Sequence, residues 1–179
     1  MLEDGSVYEG TARGDFKETA CEIVFNTSMT GYVEILTDPS YAGQGVVMTY
    51  PMIGNYGISR EDFESERLQP SAFIVHELSS DPSNFRCTDT IDNLLKEYNI
   101  PCISGVDTRA VVKKLRESGT MRGVLTSDIG DRERLMDVIK SFRQIDLVGS
   151  VTAKQTKVYG EENTGAEIAL MDFGTKRNI

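Results

Sequence analysis

YVEILTDPSYAGQGVVMTY, residues 32–50, sets an apolar run on either side of a polar turn. YVEIL (32–36) and GVVMTY (45–50) are rich in β-branched and aromatic residues, while TDPSYAGQ (37–44) holds one proline and one glycine among polar side chains. Read as strand, turn, strand, they predict that the first half of the chain is a sheet. Similar runs recur at SVYEG (6–10), CEIVFNT (21–27) and AFIVHEL (72–78). Turn chemistry separates them: DG at 4–5, RGD at 13–15, TG at 30–31, DPS at 38–40 and IGNYG at 53–57.

The second half changes period. TDTIDNLLKEYNI (88–100) spaces Ile91, Leu94, Leu95 and Tyr98 along one helical face, with Thr88 or Asp89 placed to cap the first turn. PCISGV (101–106) reads as a buried strand, and DTRAVVKKLRESG (107–119) as a helix capped by Asp107 and stopped at Gly119. MRGVLTS (121–127) is a further strand and DRERLMDVIKSF (131–142) a further helix. Strands alternating with helices predict parallel pairing, because parallel neighbours need a crossover connection. The fold class expected is α/β. VTAKQTKVYGEENTG (151–165) is polar and aperiodic, which predicts a first domain over 1–150 followed by a linker. EIALMDFG (167–174) then reads as the first strand of another α/β domain, so the chain is expected to be cut off within 166–179.

The totals narrow the function. The chain has 179 residues, 39% hydrophobic and 26% charged, enough for a real core. Lys+Arg number 19 against 28 Asp+Glu, a net charge of −9, which repels a phosphate backbone and argues against nucleic acid. No apolar run approaches a membrane span, and MLEDGSVYEG lacks the parts of a signal peptide, so a cytoplasmic protein without membrane contact is expected. Cys21, Cys87 and Cys102 are odd in number and far apart, the pattern of buried free thiols rather than of a disulfide or metal pair. The only histidine, His76, has no ligand-spaced partner and reads as structural or exposed; no metal is expected.

Familiar motifs fail on context. DFG (172–174) has no glycine-rich loop or HRD before it, the Asn26-Thr27-Ser28 sequon lacks a secretory route, and no serine or cysteine sits in a nucleophile elbow. What remains is FNTSMTGY (25–32) with TDPSYAGQ, seven hydroxyl side chains in sixteen residues. Asp38-Pro39-Ser40-Tyr41 suits a type I turn, and on composition alone the turn is the simpler reading. A serine on a proline-fixed turn is also held still, with a hydroxyl that donates and accepts, which would suit an amide or an amino acid.

FNTSMTGYVEILTDPSYAGQGVVMTYPMIGNYG (25–57) resembles the N-terminal signature of the small, glutaminase chains of carbamoyl phosphate synthetases. FIVHELSSDPSNFR (73–86), ISGVDTRAVVKKLRESGTMRGVL (103–125) and MDFGTKRNI (171–179) resemble further segments of that family in the same order. Cys21 stands where the family often has glycine, and Val106 where isoleucine is usual. The resemblance implies a three-layer β/β/α swivelling domain that docks on the large chain. It implies a parent ligase subunit, a glutamine amidotransferase, that hydrolyses L-glutamine and passes ammonia to the large chain. The large chain would use ATP and magnesium to make carbamoyl phosphate for arginine and pyrimidine biosynthesis. Cysteine, histidine and glutamate of the glutaminase belong to the C-terminal amidotransferase domain, so no catalytic residue and no cofactor is expected in this chain. The serine of the family's TDPS turn binds glutamine, and here it is Ser40. Ser28, Met29 and Asp38 are expected near the ammonia exit at the large-chain contact, although strand-end packing accounts for them equally. A stand-alone, non-catalytic interaction domain is the alternative; only the glutaminase needs a GxCxG elbow and a distant histidine downstream.

Overall fold

Residues Thr19–Asn26 form the strand from which the rest of the sheet is laid out, β2, with β1 before it at Thr11–Gly14. This computed structural model describes residues 1–144, 146–160 and 165–179. β3 (Gln44–Met48), β5 (Ala72–Ile74) and β7 (Pro101–Ser104) continue the sheet, and β8 (Met121–Leu125) closes its far edge. The order is β1-β7-β5-β3-β2-β8. The inner four strands run parallel and both edges are antiparallel. Parallel strands buried on both faces read as continuous apolar runs, which is what Val46, Val47 and Met48 provide, all fully buried. A second sheet pairs β4 (Met52–Ile53) with β6 (Glu77–Leu78).

Helices cover both faces. Val111 and Leu115 of α3 (Thr108–Ser118) pack with Cys21, Ile23, Val47 and Ile74. On the opposite face α1 (Tyr32–Thr37) and α2 (Ile91–Glu97) bury Tyr32, Leu36, Leu94 and Leu95 against Val46, Phe73 and Cys102, joined by Ile53 of the small sheet. Leu135 and Ile139 of α4 (Arg132–Ser141) close over Ala20 and Val124. The result is the expected α/β class, a layered domain with a six-stranded sheet at its centre and a second small sheet on one face.

Several expectations are corrected. YVEIL is not a strand but most of α1, entered from Gly31 at φ 81°. Its β-branched and aromatic residues disfavour a helix by about 0.5 kcal/mol each, but fully burying Tyr32, Val33 and Leu36 contributes roughly 2 kcal/mol apiece, so packing wins. SVYEG forms no strand; β1 lies just beyond it, across the expected RGD turn. A Cβ on Gly10 would stand within 3.0 Å of Ser104 and Ile103, so the approach to β7 needs that glycine and starts the ladder at Thr11. AFIVHEL divides between two sheets, β5 and β6, broken at Val75-His76, where Val75 N donates to Ile103 O at 3.0 Å. α2 is capped by Thr90, whose Oγ1 accepts from Asn93 N, rather than by Thr88 or Asp89; Asp89 instead accepts from Thr90 N and Asn93 Nδ2. Among the described residues EIALMDFG forms no strand: the backbone bond it receives from outside, Ala153 N to Asp172 O at 3.2 Å, is not part of a ladder, and Ile168, Leu170 and Met171 are exposed. A short helix, α5 (Leu147–Val151), ends where the linker was expected to begin, and residues 161–164 of that linker lie outside the described residues. Asp107 and Gly119 cap α3 as expected.

Candidate functional site

The turn at 37–41 is built from the chain outward. Thr37 ends α1 fully buried, its hydroxyl donating to Val33 O at 2.9 Å and accepting from Glu64 N at 2.9 Å. Asp38 then leaves the helix, and its Oδ1 accepts from Ser40 N at 2.9 Å. Proline at the next position fixes φ where a short helix begins. Tyr41 N donates to Asp38 O at 3.0 Å, the bond of the expected turn, and Ala42 N adds a second to Pro39 O at 3.1 Å, tightening the turn into a 3₁₀ segment over Pro39–Tyr41. The consequence is a serine held by its neighbours on both sides yet itself exposed. No hydrogen bond occupies the Ser40 Oγ among the described residues.

The last residues of the chain come back to this turn. Lys176 Nζ lies 2.7 Å from Asp38 Oδ2, a carboxylate only 10% exposed. That hydrogen bond holds the Lys176 ammonium above its ordinary range. Arg177 N donates to Glu64 O at 2.9 Å and Asn178 Nδ2 to Glu64 Oε1 at 3.2 Å. Asp172 Oδ1 accepts from Gly174 N and Thr175 N, and these bonds lower its pKa. Gly174, at φ +110°, passes so near that a Cβ there would meet Pro39 Cβ at 3.2 Å. The DFGTKRNI segment is thus strapped across the back of the TDPS turn.

Ser28 and Met29 belong to a different loop. Ser28 is exposed, its amide donating to Asn26 Oδ1 at 2.7 Å, and Met29 is 68% exposed. The end of that loop is anchored by stacked Tyr32 and Tyr56, ring centroids 4.1 Å apart. Tyr56 OH accepts from Gly31 N at 2.6 Å and Tyr32 N at 3.3 Å, while Tyr32 OH donates to Gly57 O at 2.9 Å and accepts from Tyr56 N at 3.2 Å. Burial pushes the Tyr32 phenol well above its usual pKa. The parallel register sets Gln44, where β3 begins, level with Glu22, so the loop after β2 and the turn before β3 lie toward opposite ends of these strands. Tyr41 spans part of that gap, its hydroxyl accepting from Asn26 Nδ2 at 2.8 Å. Asp38 and Ser40 are therefore brought together, with Lys176 added; no hydrogen bond among the described residues joins them to Ser28 or Met29.

Lys176, Glu64 and Tyr56 were not singled out by sequence reasoning. Lys176 is 138 residues from Asp38, and no local pattern marks a pairing at that separation. Its only signal was membership of MDFGTKRNI. Of the remaining candidates, His76 is exposed with Nδ1 3.0 Å from Val106 O, Cys21 and Cys102 are buried, and Cys87 is half-buried. No group of three or more histidine, cysteine or acidic side chains is placed to hold a metal among the described residues, and no described helix is long and apolar enough to cross a membrane.

Residues 1–125 match the family model "Carbamoyl-phosphate synthase small chain, CPSase domain". The chain is 46% identical over 180 residues to the carbamoyl phosphate synthase small chain of Clostridium perfringens, covering 100% of this chain and 51% of that one. It is 47% identical over 178 residues to that of Caldanaerobacter subterraneus, covering 99% and 48%, and 48% identical over 183 residues to that of Archaeoglobus fulgidus, covering 99% and 50%. The chain thus spans about half the length of the curated relatives it matches. By its motifs, its fold and these matches, this chain belongs to the carbamoyl-phosphate synthase small-chain family.

Proposed function

We propose that this chain is the docking half of a glutamine-hydrolysing carbamoyl phosphate synthase small chain, and that it lends Ser40 to a glutamine pocket completed by a following amidotransferase domain. Residues 1–150 form the docking domain, 151–165 the linker, and 166–179 the start of the glutaminase domain. The parent subunit hydrolyses glutamine and delivers ammonia to a large chain, which carries out the ligase chemistry with ATP and magnesium. The observation that carries this reading is the strap across the turn. Lys176, from the segment leading onward, grips Asp38, and Asp38 in turn fixes the amide of an exposed Ser40. A serine so presented hydrogen-bonds a substrate amide or α-carboxylate brought in by the next domain.

Asp38, with Ser28 and Met29 beyond the far end of β2, stands along the way ammonia leaves for the large chain. Ammonia must travel neutral and away from bulk water, so these residues act by lining its route and positioning their neighbours.

Ser40→Ala in the full small chain, assembled with its large chain, tests the reading. One neutral hydrogen bond is worth about 1 kcal/mol, so KM for glutamine should rise about fivefold while ammonia-driven carbamoyl phosphate synthesis stays unchanged. An unaltered glutamine KM would remove Ser40 from the pocket.

A further inference from the structure

On a chain of net charge −9, α3 runs the other way, with four basic residues against one acidic, Glu117. Lys114 is spent on Asp4 at 2.5 Å. Arg109, Lys113 and Arg116 fall at i, i+4 and i+7, one helical face, and make no ion pair among the described residues. All three line a crevice of about 910 Å³. Its other wall comes from the carboxyl ends of the parallel strands: Thr27 after β2, Thr49 after β3 and His76 after β5. Crevices outside the carboxyl ends of such strands are where α/β sheets bind ligands.

Two further groups in the crevice are available to an occupant. Thr108 lines it, and its hydroxyl, open to solvent although the residue is only 4% exposed, makes no hydrogen bond among the described residues. His76 meets the Val106 carbonyl with Nδ1; a carbonyl only accepts, so Nδ1 carries the proton and Nε2 is left for another partner.

The shape selects the occupant. Arg109 and Arg116 are separated by seven residues of helix, about 10 Å at 1.5 Å per residue, so their charges are strung along a line and do not converge on one oxyanion. Alternate side chains of an extended peptide recur every 6–7 Å or so, and carboxylates at that interval match such a row. Val112 gives the crevice an apolar strip, while Asp107 and Glu117 stand at its two ends; Asp107 is engaged as the helix cap, accepting from Ala110 N at 2.9 Å. The crevice also begins at Thr27, the first residue of the loop that carries Ser28 and Met29.

We infer that α3 and this crevice receive a short acidic segment of the large chain, with Arg109, Lys113 and Arg116 pairing its carboxylates and Thr108 and His76 bonding its backbone. This rests on the docking reading above and says where, and by what chemistry, the docking occurs.

The test uses the full small chain carrying Arg109→Ala, Lys113→Ala and Arg116→Ala together, with Arg132→Ala/Lys140→Ala/Arg143→Ala on and just after α4 as a charge-matched control. Alanine is the best helix former, so α3 is retained. Affinity for the purified large chain is measured at low and at physiological ionic strength. The triple variant should bind at least about tenfold more weakly at low salt, mainly through slower association, and should lose most of the salt dependence that the wild type and the control keep. Equal affinity and equal salt dependence in all three would overturn the inference while leaving the docking reading intact. A wild-type chain that does not bind the large chain at all would overturn both. A triple variant that binds the large chain normally but loses a thermal stabilisation by inorganic phosphate seen in the wild type would make the crevice a small-anion site and overturn the acidic-segment assignment.

Discussion

Lys176 Nζ and Asp38 Oδ2, 138 positions apart in the chain, lie 2.7 Å from each other at the back of the turn that presents Ser40. The pair ties the chain's last residues to the aspartate that shapes the turn carrying Ser40. Asp38 is nearly buried, so it depends on this partner more than a surface carboxylate would.

Replacing Lys176 by methionine keeps much of its aliphatic stem and removes the charge. Asp38 would then retain only the Ser40 amide, and the domain should lose about 1–2 kcal/mol. Urea denaturation gives the stability. On the proposed function, the same variant in the assembled enzyme should raise glutamine consumed per carbamoyl phosphate formed, because the turn that presents Ser40 would be less well held. A stable, fully coupled variant would refute the positioning role.

Tyr56→Phe keeps the ring that stacks on Tyr32 and deletes the hydroxyl that accepts from Gly31 N and Tyr32 N. Two amide donors lose their acceptor, at a cost of about 1–2 kcal/mol. Amide exchange should accelerate at Gly31 and Tyr32 while β3 stays protected, and uniform exchange across both would show that the hydroxyl holds no particular loop.

Glu18 accepts from both terminal nitrogens of Arg134, at 2.8 and 2.7 Å, and from the Thr126 hydroxyl at 3.0 Å. The Arg134 hydrogen bonds lead in holding its pKa down to about 2. The unfolded carboxylate titrates near ~4.3, so the folded value is the lower one. The stabilisation is therefore complete above about pH 4.3 and lost as pH falls through about 2. Urea midpoints measured from pH 5 down to 2 should fall more steeply for the wild type than for Glu18→Gln. Parallel profiles would mean the pair adds nothing to stability.

The three thiols should separate by burial. Desolvation raises Cys21 to about 12 and pushes Cys102 up as well, whereas Cys87 is only half-buried. One thiol should react promptly with a disulfide reagent in the native state and all three after denaturation; Cys87→Ser should abolish the prompt phase.

The helices α3 and α4 were legible because each is long enough to show its period and carries its own caps, Asp107 and Gly119 for α3 and Asp131 for α4. YVEIL misled because six residues are fewer than two helical turns, and Tyr, Val and Ile favour strands until a core is supplied for them. β1 was illegible for the opposite reason. TARG has no β signal, and its pairing is imposed by β7 and by the close approach at Gly10.

The site divides in the same way. Asp38, Pro39 and Ser40 form a local turn and could be read locally. The grip of Lys176, the crevice beside α3 and the Tyr32–Tyr56 clasp join residues from 24 to 138 positions apart, and they exist only once the sheet has assembled.

The clasp has an optical consequence. The chain contains no tryptophan, so its near-ultraviolet absorption and emission come from seven tyrosines. Tyr32 and Tyr56 lie 4.1 Å apart with their planes 17° from parallel, close enough for their transitions to couple. Near-ultraviolet circular dichroism should therefore carry a signature of the FNTSMTG loop anchor itself, and a tryptophan-free docking partner would be seen to move that loop without any label attached.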